Sequence, residues 1–140
     1  MPRLTLTLVA LFASAVVGCR DWVDPGLPPA RIALLKGVVT SPSPSSPGAT
    51  TSIAVGAAVY SSCSDSRPSE FSSVQLDSAG GPYRLTVISH MELDTAAVCV
   101  TAWAVRTAGT RVDSVGAPPV ILVFRSKGTP DSATLNFQLP

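Results

Sequence analysis

An all-β fold is what the sequence predicts: a single antiparallel β-sandwich of seven strands, following a cleaved signal peptide. Three observations carry that prediction. In several short runs apolar residues alternate with polar ones, the period of a half-buried strand. Thirteen prolines and ten glycines, among abundant Ser, Thr and Val, cut those runs into short pieces. No segment places apolar residues at i, i+3, i+4 and i+7 over a length that would make a helix.

The chain opens on an export signal. Arg3 supplies a positive start, Leu4 to Val17 form an apolar run, and small residues lead to Cys19. The run is shorter than the roughly 20 apolar residues that cross a bilayer, and Arg20, Asp21 and Asp24 follow at once, so it reads as a removed segment. The residues Val16-Val17-Gly18-Cys19 resemble the lipobox of bacterial lipoproteins. That resemblance implies cleavage between Gly18 and Cys19, a diacylglyceryl thioether on Cys19, and durable attachment to the lipid bilayer through acyl chains such as palmitate. Arg20, where an Asp would retain enterobacterial lipoproteins at the inner membrane, implies the outer membrane of the cell envelope. An ordinary signal peptide, with Cys19 a plain thiol, is the other reading.

Residues 1–18 are thus expected to be the signal peptide, 19–31 a lipidated Pro-rich tether and 32–140 the β-sandwich domain. Pro25, Gly26, Pro28 and Pro29 keep the tether from forming a helix, and in an extended form it reaches about 30 Å. Trp22 within it is placed either at the lipid headgroups or against the domain.

The elements of the domain follow in order. Ile32 to Thr40 reads as a first strand, with Gly37 at a bulge or a close-packing point, and the Pro-rich stretch Ser41 to Ser52 as a loop. Ile53, Val55, Ala57 and Val59 alternate along a second strand, and Phe71, Val74 and Leu76 suggest a short strand or an edge. Gly80 and Gly81 supply the positive φ of a tight turn into a strand whose Tyr83, Leu85 and Val87 share one face. Ala96 to Val105, apolar on both faces, reads as a central strand with Cys99 and Trp103 on one side, Trp103 being expected in the core. A hairpin at Ala108-Gly109 leads to Arg111, Asp113 and Val115. Pro118 and Pro119 then break the chain before a buried strand from Val120 to Phe124. Ala133, Leu135, Phe137 and Leu139 finish with one alternating strand.

Three of these stretches together resemble the carboxypeptidase-regulatory-like, or transthyretin-like, domains of bacterial surface proteins. They are Gly37-Val38-Val39, Gly56-Ala57-Ala58-Val59, and Asp77 to Tyr83 followed by Leu85 and Val87. The resemblance spans about Ile32 to Val105 and implies a β-sandwich. The extra residues before Tyr83 and the long loop after Thr40 depart from the pattern, and an immunoglobulin-like sandwich is the alternative topology.

Cleavage before Cys19 leaves 122 of the 140 residues, one domain's worth, with nine Lys or Arg against nine Asp or Glu. The basic residues are scattered singly, which points away from nucleic acid. With Cys19 lipidated, Cys63 and Cys99 remain, an even pair in an exported chain that reads as a disulfide worth roughly 4 kcal/mol, with free thiols or metal ligation as the alternatives. No CxxC or HxxxH spacing is present, so no metal site and no cofactor are expected. His90 is the only histidine. Ser89 beside it would point to the opposite face, and Glu92 and Asp94 nearby read as a solvated loop rather than as metal ligands. Asp77 ahead of Gly80 and Gly81 reads as turn chemistry, not as a calcium site. No catalytic residues are expected and the protein is read as a non-enzyme. Two functions of different class follow: a structural or protein-interaction module with an envelope protein as partner, or a carbohydrate- or small-ligand-binding sandwich. Exposure of Tyr60 and Trp103 on one face would favour the second.

Overall fold

The computed structural model describes residues 30–42, 50–77, 79–90 and 97–140. The lipobox with Gly18 and Cys19, the tether with Trp22, and Glu92 and Asp94 lie outside the described residues. The rest forms nine strands and, among the described residues, no helix: β1 (Arg31–Thr40), β2 (Thr51–Tyr60), β3 (Glu70–Leu76), β4 (Gly80–Ser89), β5 (Ala97–Ala108), β6 (Arg111–Gly116), β7 (Val120–Val123), β8 (Ser132–Thr134) and β9 (Phe137–Gln138). They make two packed sheets. One has the order β4-β1-β8, with β9 also on β1; the other has the order β3-β2-β5-β6, with β7 also on β5.

The expected all-β architecture is present, with two corrections. The strands number nine rather than seven, and the smaller sheet is mixed, since β8 and β9 run parallel to β1. The parallel pairing arises at the C-terminal end, and so does one of the added strands. The run from Ala133 to Leu139 alternates as one strand would, yet at its middle Val38 donates its N–H to the Asn136 side-chain oxygen at 3.0 Å instead of to a main-chain carbonyl. The ladder is interrupted there, and it resumes where the Leu139 N–H reaches the Thr40 carbonyl at 2.9 Å. A side-chain amide can replace a backbone acceptor, and alternation gives no sign of it. Gly37 faces this interruption: a Cβ on it would collide with the Leu135 carbonyl, which makes it the close-packing point of β1.

The core lies between the sheets and is built by alternation. Ala33, Leu35 and Val39 of β1 with Tyr83, Leu85 and Val87 of β4 form one side of it, and Ile53, Val55, Ala57 and Val59 of β2 with Val98, Val100, Ala102 and Ala104 of β5 form the other. Leu122, Phe124, Phe137 and Leu139 complete the cluster. Fully burying one such Leu or Val contributes about 1.5–3 kcal/mol. Tyr83 is anchored by its hydroxyl, which donates to the Leu135 carbonyl at 2.8 Å, and burial pushes its phenol up to about 12. Gly80 and Gly81 have φ of 77° and 130°, the left-handed values the turn into β4 requires.

Cys63 and Cys99 are joined in a disulfide, with Cα atoms 5.1 Å apart. Register sets Cys99 opposite Tyr60, the last residue of β2, so the bridge ties the exposed segment after β2 to the centre of the larger sheet.

Candidate functional site

The larger sheet presents its second face to solvent. Because the odd residues of β2 enter the core, Ala54, Gly56 and Tyr60 point outward, and on β5 the outward residues include Cys99, Thr101, Trp103 and Val105. The same parity turns Phe71 of β3, Val112 of β6 and Ile121 of β7 to this side. None of the outward positions of these five strands carries Asp, Glu, Lys, Arg or His. Phe71 is 69% exposed, Val112 64% and Ile121 59%, so large apolar side chains stand exposed on a face without charge, among outward Ser and Thr residues.

Trp103 corrects the expectation that it is a core residue. It does share a side with Cys99, but that side is the outer one, and the ring is only half-buried. Gly56 lies directly across from it in the register, and a Cβ on Gly56 would come within 2.7 Å of the indole carbons. The missing side chain therefore makes the slot in which the ring rests. Beside it runs a shallow cleft of about 200 Å³ lined by Ala54, Gly56, Phe71, Ser72, Ser73 and Trp103. Tyr60, also half-buried, borders a second hollow of about 170 Å³ over the disulfide, with Asp65 and Ser66 on its rim. The structure thus brings Tyr60 and Trp103 to one face without burying either in the core.

Gly56→Leu should expel the indole from its slot. In a Trp22→Phe background the expected result is a red-shifted Trp103 emission with greater acrylamide quenching. Stability should fall by less than about 2 kcal/mol, because the ring can move into solvent instead of straining the core. An unshifted emission would show that the ring does not rest on Gly56.

The remaining polar residues serve the architecture. Ser89 is buried and His90 is exposed; the His90 Nδ1 lies 3.4 Å from the Glu70 carboxylate, which also accepts the His90 N–H at 2.6 Å. No group of three His, Cys, Asp or Glu able to hold a metal occurs among the described residues. Arg106, only 7% exposed, donates to Ser41 Oγ at 2.8 Å, the Pro42 carbonyl at 3.3 Å, Asp113 Oδ2 at 2.7 Å and the main-chain oxygen of Pro140 at 2.6 Å. Its guanidinium is the main reason the Asp113 carboxyl is held below the usual carboxylate range; Arg111, bonded at 3.0 Å, adds to this, while partial desolvation opposes it. This cluster pins the chain after β1, the β5–β6 hairpin and the C-terminal strand to one another.

The molecule is therefore a two-sheet, β-sandwich-like protein with one uncharged aromatic face. No family model, curated protein or solved structure matches the chain.

Proposed function

We propose that the protein is a lipoprotein of the cell envelope, anchored in the outer membrane through acylated Cys19, and that it acts as a non-catalytic interaction module. An envelope protein docks on the outer face of the five-stranded sheet. The observation that carries this reading is the absence of Asp, Glu, Lys, Arg and His from the outward positions of that face, together with the exposure of Phe71, Val112 and Ile121 on it. Solvated sheet faces normally carry charge, whereas charge depletion with aromatic enrichment marks the centres of protein interfaces. The anchor rests on Val16-Val17-Gly18-Cys19. We further assign the domain to the carboxypeptidase-regulatory-like, transthyretin-like kind. The support is that the resembling stretches fall on structural counterparts: the end of β1, the middle of β2 and the turn into β4.

A photo-crosslinking residue at Ile121 in the full chain tests the docking reading in cells. The expected product is one protein species recovered in near-equal amount, lost when Phe71 is replaced by Lys. Recovery of the chain alone would overturn it. A second reading, a sugar or other small ring held in the cleft, is favoured by the rings of Phe71 and Trp103 beside Ser73, which shares their outward side. Saturable quenching of Trp103 emission by an oligosaccharide, absent in Gly56→Leu, would support it. For the anchor, Cys19→Ser is expected to lose the acyl mass and to leave the membrane fraction. Unchanged pelleting would count against lipidation.

A further inference from the structure

The outer face of the smaller sheet differs in kind. With Ala33, Leu35 and Val39 turned inward, the outward residues of β1 include Ile32, Leu34, Lys36 and Val38. Lys36 lies directly across from Arg84 of β4, and Ile32 is flanked by Ile88 on one side and by Arg125 on the other. Lys36, Arg84 and Arg125 are all exposed, and none of the three meets a carboxylate among the described residues. Val38 and Ile88, 42% and 39% exposed, stand among them. No Asp or Glu occupies an outward position of β1, β4, β8 or β9. Asp131, just before β8, has both carboxylate oxygens engaged by the N–H groups of Val123 and Ser132.

Like charges directly opposed on neighbouring strands repel, and an anionic counter-surface relieves that repulsion. Cations interspersed with exposed aliphatic side chains also suit a headgroup layer, where the charges meet lipid phosphate and the apolar groups enter the boundary beneath. Position adds to chemistry: Arg31, which begins β1, follows directly on the segment leading from Cys19, whose reach is at most about 30 Å. A surface held that close to lipid meets it at high effective concentration.

We propose that this face lies on the anionic headgroup surface of the anchoring membrane through Lys36, Arg84 and Arg125, which turns the uncharged face of the five-stranded sheet away from the bilayer. The inference rests on the lipid-anchor reading for proximity and is independent of what docks on the opposite face. Each cation is expected to favour the surface-bound orientation about fivefold at low salt.

The test uses the full lipidated chain reconstituted into vesicles of phosphatidylglycerol with phosphatidylcholine, or of phosphatidylcholine alone. A nitroxide is placed at Ile88→Cys or Ile121→Cys. In the anionic vesicles, collision of the label at position 88 with a water-soluble nickel chelate should fall at least about fivefold. It should recover in high salt and in the K36E/R84E double variant, while the label at position 121 stays accessible throughout. Equal accessibility at position 88 in both lipids, or protection at 121 instead, would overturn the proposal and leave an acidic protein as the occupant to seek. Protection that persists in phosphatidylcholine and in high salt would overturn its electrostatic basis. Flotation of the protein with vesicles in high salt reports separately on the anchor, so a failed anchor and a failed surface contact give different results.

Discussion

Replacing Cys63 and Cys99 together with alanine is expected to lower stability by about 4 kcal/mol. The bridge spans a sequence separation of 36 residues, and closing a loop of that length removes about that much entropy from the unfolded chain in the loop-closure model. For a small domain whose total stability lies at roughly 5–15 kcal/mol, the loss is a large share. The effect should also be uneven. Cys99 is buried in the central strand of the larger sheet, whereas Cys63 sits in an exposed segment whose remaining ties include a turn bond from the Asp65 N–H to the Ser62 carbonyl at 3.0 Å and the Ser69 contacts to Val59. Amide exchange between residues 61 and 69 should therefore rise before the core opens. Urea unfolding of the wild type with and without reductant is the direct measurement. A midpoint difference equivalent to under 1 kcal/mol would mean that the unfolded chain is already restricted by other means.

Arg106→Met should cost about 2–3 kcal/mol, although the new side chain is apolar and of similar length. Arg106 is the point where Ser41, Pro42, Asp113 and Pro140 converge, and its removal leaves their acceptors without that donor. The figure sits below the 3–5 kcal/mol of a wholly buried pair because Asp113 keeps its bond to the exposed Arg111. Arg106→Lys should recover only part of the loss, since one ammonium cannot present the planar fork that serves acceptors on three segments. The pH dependence follows from Asp113. Its carboxyl is held below the usual carboxylate range in the folded state, so the stabilisation is fully present above the unfolded carboxylate pKa of about 4 and is lost as pH falls through the lowered folded value. The gap between wild type and Arg106→Met should accordingly narrow in acid. A gap unchanged between pH 7 and pH 3 would show that Arg106 acts through packing and its uncharged acceptors alone.

Much of the fold is legible in the residues. The alternation of Ile53 to Val59, the Tyr83-Leu85-Val87 face and the glycines ahead of β4 each report a local property, the period of a pleat or the freedom of a backbone without Cβ, and each appears where expected. The cysteine pair was readable for a different reason: once Cys19 is assigned to lipid, only two thiols are left to meet. The candidate face was half readable. Phe71, Val112 and Ile121 look like ordinary strand residues one at a time, and sequence reasoning does not single them out. The available signal was the lack of charge at alternate positions of β3, β5 and β6, which becomes meaningful only when those positions are known to share a side. Lys36 and Arg84 show the same limit: 48 positions apart in the chain, they face each other only through the register of β1 with β4.

The sequence by itself determined the all-β class, most of the strand positions and the disulfide, because periodicity, turn chemistry and cysteine parity are local or purely compositional. Tertiary structure alone decided that β8 and β9 run parallel to β1, that Asn136 interrupts them, and which side of β5 the second sheet covers. Alternation marks two faces of a strand without saying which is buried when both are apolar, and it carries no strand direction. Those choices belong to the packing of distant segments, and in β5 they put Trp103 outside the core, against the bare backbone of Gly56.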